Sequence, residues 1–209
     1  MQGVTHEPMV EPTHDALAAL TRELERFGAE TDRATSNAAR RMLNITLDVG
    51  ELLAVLVRAT RARRVLEIGT SNGYSTLWLA QAVQSLAGRV TTVELAADKI
   101  ALARATFARS GLAGFITLGH DDAGALLQRC ERRAFDLVFL DSERPHCPGW
   151  WPDVRRVLRP GGLLVVDNAT SHAEQMAGFI ATIHADREFT TRLVPIGKGE
   201  FLAVKAQGD

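Results

Sequence analysis

The strongest constraint on the fold is an alternation of two hydrophobic patterns along the chain after about residue 60. Short runs rich in Val, Ile, Leu and Phe alternate with longer stretches in which apolar residues recur at helical spacing. Runs of the first kind predict strands that are buried on both faces, and such strands form parallel sheets covered by helices. We therefore predict an α/β fold, a three-layer sandwich. The runs are RRVLEIG, GRVTTVEL, GFITLG, FDLVFLD and GGLLVVDN.

The N-terminal part of the chain has helical periodicity alone. Apolar residues recur at alternating spacings of three and four, which predicts a helix that begins near Thr13 and ends near Gly28. A second helix is predicted over residues 47–60. The apolar stripe of the first helix is suited either to covering a binding site or to packing across a homodimer. It consists of Leu17, Leu20, Leu24 and Phe27.

The last third of the chain predicts a helix followed by two strands around a turn at Lys198 and Gly199. Such a hairpin would close the sheet with an antiparallel strand. No internal repeat or linker indicates a second domain, and 209 residues suffice for one well-packed core. We therefore expect a single domain with a loose N-terminus (1–12), N-terminal helices (13–59) and an α/β core (60–209).

Charge and cysteine content argue against several classes of protein. The formal net charge is −1, so no global positive field attracts nucleic acid or an anionic membrane. The two cysteines, Cys130 and Cys147, match neither a disulfide framework nor a zinc motif. No apolar run approaches the ~20 residues that span a bilayer, and the first residues lack the pattern of a signal peptide. We expect a cytoplasmic protein without membrane or nucleic-acid partners.

One local exception to the balanced charge lies just before the first predicted strand, where four arginines cluster. We interpret them as a solvated helix end, because cations there offset the helix dipole. They would indicate an RNA substrate only if they faced the active site. The four are Arg58, Arg61, Arg63 and Arg64.

Acidic residues follow the predicted strands at the edge where open α/β sheets bind ligands. The first loop contains Gly69 and Gly73 in a G-x-x-x-G spacing, not the three-glycine pattern of dinucleotide sites. Glu94 ends the second strand, where a carboxylate can accept hydrogen bonds from both hydroxyls of a ribose. Asp141 and Asp167 make the rim acidic, which disfavours a pyrophosphate and favours a cationic nucleoside. S-adenosylmethionine, with a sulfonium, a ribose and no phosphate, meets these conditions.

Four motifs occur in the order and spacing of a known family: VLEIGTSNGYSTLWLA, VTTVELAADKIALAR, FDLVFLDSERP and LRPGGLLVVDNA. The chain resembles class I methyltransferases and, more closely, the cation-dependent catechol and caffeoyl-CoA type O-methyltransferases. The resemblance implies a Rossmann-like, mostly parallel seven-stranded sheet with an antiparallel C-terminal hairpin strand and an N-terminal helical extension. It also implies methyl transfer from S-adenosylmethionine to a hydroxyl of a small, catechol-like aromatic, assisted by a divalent cation.

The resemblance also implies roles for individual residues. Asp141, Asp167 and Asn168 match the family's cation ligands, and their oxygen donors suit Mg²⁺ above all, or Mn²⁺ or Ca²⁺, but not zinc. On the adenine side Asp122 matches, although Asp121 stands where the family usually has glycine. The implied cofactor-binding residues are Glu67, Gly69, Ser71, Gly73, Ser75, Glu94, Asp122 and Asp141.

One departure from the family affects the expected catalytic residues. The family usually has a lysine three residues after the first metal aspartate, whereas this chain has Arg144. Arginine stays protonated, so it cannot act as a general base, although it could stabilise a phenolate or simply form a surface ion pair with Glu143. Deprotonation would then fall to the metal alone or to a histidine. His146 and His172 follow the two metal segments and are candidates for the base. We assign catalytic roles to Asp141, Arg144 and His146.

The sequence leaves alternatives open. The chain could methylate another small-molecule hydroxyl without a metal, or it could methylate a modified RNA nucleoside. It could also bind the cofactor without catalysis, as a sensor would, and the arginine at position 144 favours that interpretation. A nicotinamide oxidoreductase is the least favoured alternative.

Overall fold

A computed structural model of the chain describes residues 14–207. The predicted loose segment 1–12 and the helix start at Thr13 lie outside the described residues. A seven-stranded sheet is covered by helices on both faces, so the predicted three-layer α/β fold is confirmed. Its strands are β1 (Arg64–Ile68), β2 (Arg89–Glu94), β3 (Ile116–His120), β4 (Phe135–Leu140), β5 (Leu158–Val166), β6 (Phe189–Val194) and β7 (Glu200–Lys205).

The strand order is β3-β2-β1-β4-β5-β7-β6. Strands β1 to β5 pair in parallel, whereas β7 pairs antiparallel with both β5 and β6. The predicted C-terminal hairpin is therefore confirmed, and its second strand is inserted between β5 and β6. The direction of winding reverses between β1 and β4, and the carboxyl ends of strands at such a switch point are where open sheets bind ligands.

Seven helices cover the described part of the sheet. Two buried apolar clusters lie on opposite faces, the first packed by the four N-terminal helices and the second by the other three. The helices are α1 (His14–Ala34), α2 (Leu47–Ala59), α3 (Tyr74–Gln84), α4 (Ala97–Ser110), α5 (Ala123–Arg129), α6 (Cys147–Val157) and α7 (Ala173–Ala185).

Helix α1 is longer than predicted, because it continues past Gly28 to Ala34. Gly28 marks the point where α1 and the segment that contains Asn44 approach each other closely, and it does not end the helix. A Cβ at Gly28 would lie 2.5 Å from Nδ2 of Asn44, which donates a hydrogen bond of 3.0 Å to the Leu24 carbonyl. The predicted apolar stripe is buried within the same chain, except for Phe27, which is 40% exposed. The stripe therefore contributes to the core of the protomer.

The arginines before the first strand lie at the amino ends of the strands, on the opposite edge of the sheet from the glycine loop. Asp136, which lies near the start of β4, accepts hydrogen bonds from the side chains of Arg64 and Arg159. It also accepts them from the backbone N–H groups of Arg63 and Arg64. The condition under which this cluster would indicate an RNA substrate is therefore not met.

None of the helices described here is long and apolar enough to cross a membrane. Cys130 and Cys147 are free thiols. Burial raises the pKa of the Cys147 thiol to about 11, which makes it a poor nucleophile at neutral pH.

Candidate active site at the carboxyl ends of the strands

The loop between β1 and α3 depends on two glycines with positive φ. Gly69 has a φ of 102°, and a Cβ there would lie 1.8 Å from the carbonyl oxygen of Asp141. Gly73 precedes α3 with a φ of 89°, and a Cβ there would lie 2.6 Å from the ring of Phe107. Only glycine permits both this backbone conformation and these close approaches. The loop therefore lies directly against the end of β4.

Glu67 lies beneath this loop and is fully buried. The hydroxyls of Ser75 and Thr92 each donate a hydrogen bond of 2.6 Å to its carboxylate, and the Thr76 hydroxyl donates another. Burial raises the pKa of Glu67 to about 7, although the three hydroxyls oppose the shift. The carboxylate thus ties the first turn of α3 to β1 and β2, and the predicted site residues Glu67 and Ser75 contact each other.

Glu94 ends β2 next to the same loop, as predicted. Its Oε2 accepts a hydrogen bond of 2.9 Å from the Ser71 N–H, and its Oε1 accepts bonds of 2.9 Å from the Leu95 and Ala96 N–H groups. A carboxylate offers about four acceptor positions, so these three donors hold the group in place and leave acceptor capacity on its open side. Glu94 is partly exposed.

A segment after α1 packs onto the loop. The Ser71 hydroxyl donates a hydrogen bond of 2.8 Å to the Met42 carbonyl. The Asp32 carboxylate at the end of α1 accepts hydrogen bonds from the N–H groups of Met42, at 2.6 Å, and Leu43, at 3.0 Å. The N-terminal helix is thereby connected to the loop between β1 and α3 through three hydrogen bonds, none of which was predicted from the sequence.

Asp122 lies at the start of α5, where its Oδ1 accepts a hydrogen bond of 2.8 Å from the Ala125 N–H. This is a side-chain N-cap, which satisfies one free donor of the first helical turn. The neighbouring Asp121 pairs with Arg129 on the same helix. Asp122 is exposed, so its other oxygen remains accessible.

The predicted metal ligands lie together at the ends of β4 and β5. The Asn168 amide nitrogen is 2.7 Å from Oδ2 of Asp167 and 3.3 Å from Oδ1 of Asp141, and it bridges the two carboxylates. Asn168 has a φ of 66°, a conformation that asparagine tolerates better than most residues. Burial, followed by the charge of Asp167, raises the pKa of Asp141 well above its usual range.

Within residues 14–207, no three His, Cys, Asp or Glu side chains are arranged as a metal centre by themselves. The third polar group next to Asp141 and Asp167 is the side-chain amide of Asn168. It donates N–H groups to both carboxylates, which reduces the repulsion between them.

The three remaining catalytic candidates differ in their surroundings. Arg144 donates a hydrogen bond of 2.7 Å from Nε to Gln175. His146 stacks on Trp150 with ring centroids 5.7 Å apart, and its Nε2 lies 3.6 Å from Glu143. These contacts do not include the acid pair.

His172 is closer to the charges of the candidate site. Its Nδ1 lies 2.9 Å from the Ser171 hydroxyl. Partial burial and the positive charges of Arg144 and Lys198 lower the pKa of His172, against the opposing effect of Asp167. The lowered pKa favours the neutral imidazole, which has a nitrogen that can accept a proton.

Comparison with known proteins identifies the family. The sequence pattern that defines the O-methyltransferase family matches residues 20–206. A protein of Mycobacterium sp. (strain JLS) that is named as an O-methyltransferase is 34% identical over 174 residues, covering 77% of this chain and 79% of the relative. The chain belongs to the O-methyltransferase family. The resemblance to class I methyltransferases noted in the sequence is thereby confirmed.

Solved structures agree with this assignment. TomG of Streptomyces achromogenes, an O-methyltransferase of tomaymycin synthesis solved in complex with SAM, superposes with a TM-score of 0.74 and 26% identity. The match covers 94% of this chain and 92% of TomG. A structure from Klebsiella pneumoniae, also described as an O-methyltransferase, has a TM-score of 0.75 and 26% identity, covering 97% and 92% of the two chains.

One buried acidic residue of this O-methyltransferase was not predicted from the sequence. Glu200, the first residue of β7, is fully buried, and neither of its carboxylate oxygens has a hydrogen-bond partner. The available signal was a charged residue at the start of the apolar run EFLAV, next to the predicted turn. A formal charge within a buried strand is rare unless it is paired or functional.

Proposed function

We propose that this O-methyltransferase transfers the methyl group of S-adenosylmethionine to a hydroxyl of a small, catechol-like aromatic, assisted by a divalent cation. The observation that carries the proposal is the Asp141–Asp167 pair, bridged by the Asn168 amide beside the glycine loop. Two carboxylates and an amide at adjacent strand ends provide the hard oxygen donors that Mg²⁺ prefers, with Mn²⁺ and Ca²⁺ as alternatives.

The donor set fits a cation. In the absence of one, the Asn168 amide directs its N–H groups at the carboxylates. A cation in that position would require the amide to present its oxygen instead. When bound, a divalent cation would lower the pKa of a coordinated phenol and so favour the nucleophilic phenolate. The work of the chain is then to hold Asp141 and Asp167 in place, which the ends of β4 and β5 do.

The proposed cofactor site is the loop between β1 and α3 together with Glu94. S-adenosylmethionine supplies an electrophilic methyl group. Gly69 and Gly73 allow the loop its left-handed turns and its close packing on Asp141 and Phe107, which fixes the shape of the proposed site. The proposed role of Glu94 is to accept hydrogen bonds from the ribose.

The other proposed cofactor residues divide into two groups. Ser71 and Ser75 use their hydroxyls within the protein, so we propose that they position the loop, with Glu67 as the anchor of Ser75. Asp122 is exposed and Asp141 is only partly exposed, and they are proposed to contact the adenosine and the methionine ends, respectively.

The proposed proton acceptor is a histidine. Arg144 stays protonated, so its proposed role is to stabilise the phenolate. His146, the catalytic candidate in the sequence, lies against Trp150 and Glu143. His172 interacts electrostatically with Asp167, whereas the contacts of His146 do not include the acid pair, which supports His172 over His146 as the base.

The experiment that tests the proposal is methyl transfer from labelled S-adenosylmethionine to a panel of catechols, with Mg²⁺ and with EDTA. We expect turnover that EDTA abolishes. Asp141→Asn should lower turnover with Mg²⁺ by roughly 100-fold, because one charged donor is lost. Glu131→Gln, which removes an exposed carboxylate elsewhere, is the matched control. Turnover that survives EDTA would overturn the role of the cation while leaving methyl transfer intact.

Cofactor binding gives a separate prediction. Glu94→Gln should weaken S-adenosylmethionine binding by roughly 10-fold or more, because hydrogen bonds to a charged acceptor are replaced by weaker ones. Isothermal titration calorimetry would measure the affinity, with Asp98→Asn in the first turn of α4 as the control for a lost surface charge. Equal affinities for Glu94→Gln and the wild type would contradict the proposed ribose contact.

A further inference from the structure

Glu200 is the most unusual buried charge among the described residues. Its side chain is 0% exposed, and both carboxylate oxygens lack a hydrogen-bond partner. Every other buried carboxylate described here has hydrogen-bonding partners, as Glu67 has three hydroxyls. Buried polar groups in proteins are hydrogen-bonded with few exceptions, and each exception requires a cause.

The register of the sheet places Glu200 beside Asp167. Val165 pairs with Leu202 and Val166 pairs with Phe201 across β5 and β7. One further step in this antiparallel register brings Asp167 opposite Glu200. Because side chains alternate between faces, both acids lie on the face opposite to Val166 and Phe201, which belong to the same apolar cluster.

Other acids share that face of the sheet. By the same alternation, Glu67 and Asp141 point to the side away from the apolar residues next to them, Ile68 and Leu140. Four carboxylates therefore form a row across the ends of β1, β4 and β5 and the start of β7. Burial above all raises the pKa of Glu200 to about 10, followed by a side-chain hydrogen-bond interaction with Asp167, which requires a proton on one of the two acids, and by the charges of Asp167 and Asp141.

One positive side chain partly offsets this row. Lys198 lies in the turn before β7, and its charge acts on both Asp141 and Glu200. The turn is fixed next to the acid pair, since the Ala169 N–H donates to the Gly199 carbonyl at 2.9 Å and the Thr170 N–H to the Lys198 carbonyl at 3.0 Å. The ammonium group of Lys198 cannot by itself neutralise Asp141, Asp167 and Glu200. The Asn168 amide contacts only the first two of these carboxylates.

We propose that Glu200 is a third carboxylate of the divalent-cation site, and that a cation bound by Asp141, Asp167 and Asn168 also neutralises Glu200. The inference rests on the proposed function, because it requires a cation there. It extends the donor set from two carboxylates to three, all of them oxygen ligands of the kind that Mg²⁺, Mn²⁺ and Ca²⁺ prefer. Without a cation these three carboxylates are not arranged as a metal centre by themselves, so the proposal requires their side chains to close around the ion when it binds. The Glu200 oxygens, which have no hydrogen-bond partner, would then be ligands of the cation.

The test is Mn²⁺ binding to the full chain without S-adenosylmethionine, measured by the electron paramagnetic resonance signal of free Mn²⁺. Glu200→Gln should weaken Mn²⁺ binding by at least about tenfold. Its melting temperature in EDTA should equal or exceed that of the wild type, because an unpartnered acid is removed. Addition of Mn²⁺ should raise the melting temperature of the wild type more than that of the variant.

Two further variants strengthen the comparison. Methionine has a similar length to glutamate and no charge, so Glu200→Met should fold even if Glu200→Gln does not. It should show the same loss of Mn²⁺ affinity. Glu188→Gln removes an exposed carboxylate that pairs with Arg155 and should bind Mn²⁺ as the wild type does.

The outcomes separate this inference from the proposed function. Glutamine has the shape of a neutral glutamic acid, so Mn²⁺ affinities of Glu200→Gln within twofold of the wild type would show that Glu200 stays protonated and outside the site. That result would overturn the inference and leave the proposed function standing. A wild type that binds no Mn²⁺ would overturn the inference and the role of the cation together.

Discussion

Replacing Gly69 with alanine should abolish binding of S-adenosylmethionine and destabilise the fold by about 3 kcal/mol or more. A Cβ at this position would lie 1.8 Å from the carbonyl oxygen of Asp141, and the backbone has a φ of 102°. Backbone atoms of Asp141 and Ser142, directly after β4, would have to move, because no flexible side chain is available to give way. Urea unfolding and calorimetric titration would measure the two effects.

A glycine without such neighbours provides the control. Gly178 lies on the exposed side of α7, and a Cβ there would meet no atom within 4 Å. Gly178→Ala should leave cofactor affinity unchanged and stabilise the protein by about 0.5–1 kcal/mol, since alanine favours helix. If Gly69→Ala bound the cofactor as the wild type does, the close packing of the loop on β4 would be wrong.

The second large loss of stability is expected at the amino ends of the strands, away from the candidate site. Asp136→Ala should cost about 3–5 kcal/mol, because it leaves several donors unpaired at a largely buried position. The Asp136 side chain is 9% exposed and accepts hydrogen bonds of 3.0 Å from Arg64 Nη2 and 2.8 Å from Arg159 Nε. Asp121→Ala, which removes the partner of the more exposed Arg129, should cost about 1 kcal/mol or less.

The loss at Asp136 should depend on pH. Burial by itself would raise the pKa of Asp136, but hydrogen bonds from Arg64, Arg63 and Arg159 lower it below its ordinary value overall. A carboxylate with a lowered pKa in the folded state contributes stability above the unfolded pKa of about 3.9, and that stability is lost as pH falls through the folded pKa. The difference between wild type and Asp136→Ala should therefore be constant near pH 7 and shrink below about pH 4. A difference that stays constant down to pH 2 would contradict this account.

The sequence was sufficient for the features that depend on local pattern. Glu94, Asp141 and Asp167 each follow an apolar run, and the end of a buried strand is the position that brings such residues to one edge of the sheet. The glycines at 69 and 73 are weak evidence alone, but they could be assigned to the site because they lie between a predicted strand and a predicted helix and are followed by Glu94 at the end of the next strand.

The features that depend on contacts between distant segments could not be read in this way. Gly28 resembles a helix end in the sequence. In the structure it lies inside α1, and a side chain is excluded there because the Asn44 amide occupies the space. Glu200 precedes its strand instead of following it, so the search for acids at strand ends passes over it. Its position next to Asp167 depends on an antiparallel register that only the fold defines.

Insertion of β7 between β5 and β6 has a consequence for the order of folding. In the described part of the chain, β6 has no sheet partner other than β7, so it cannot join the sheet until β7 has paired with β5. During synthesis, β1 to β5 can associate as they emerge, whereas β6 can be added to the sheet only after β7 has been synthesised. Asp167 would therefore stand at an open edge of the nascent sheet, and Glu200 would reach it only in the final step of assembly.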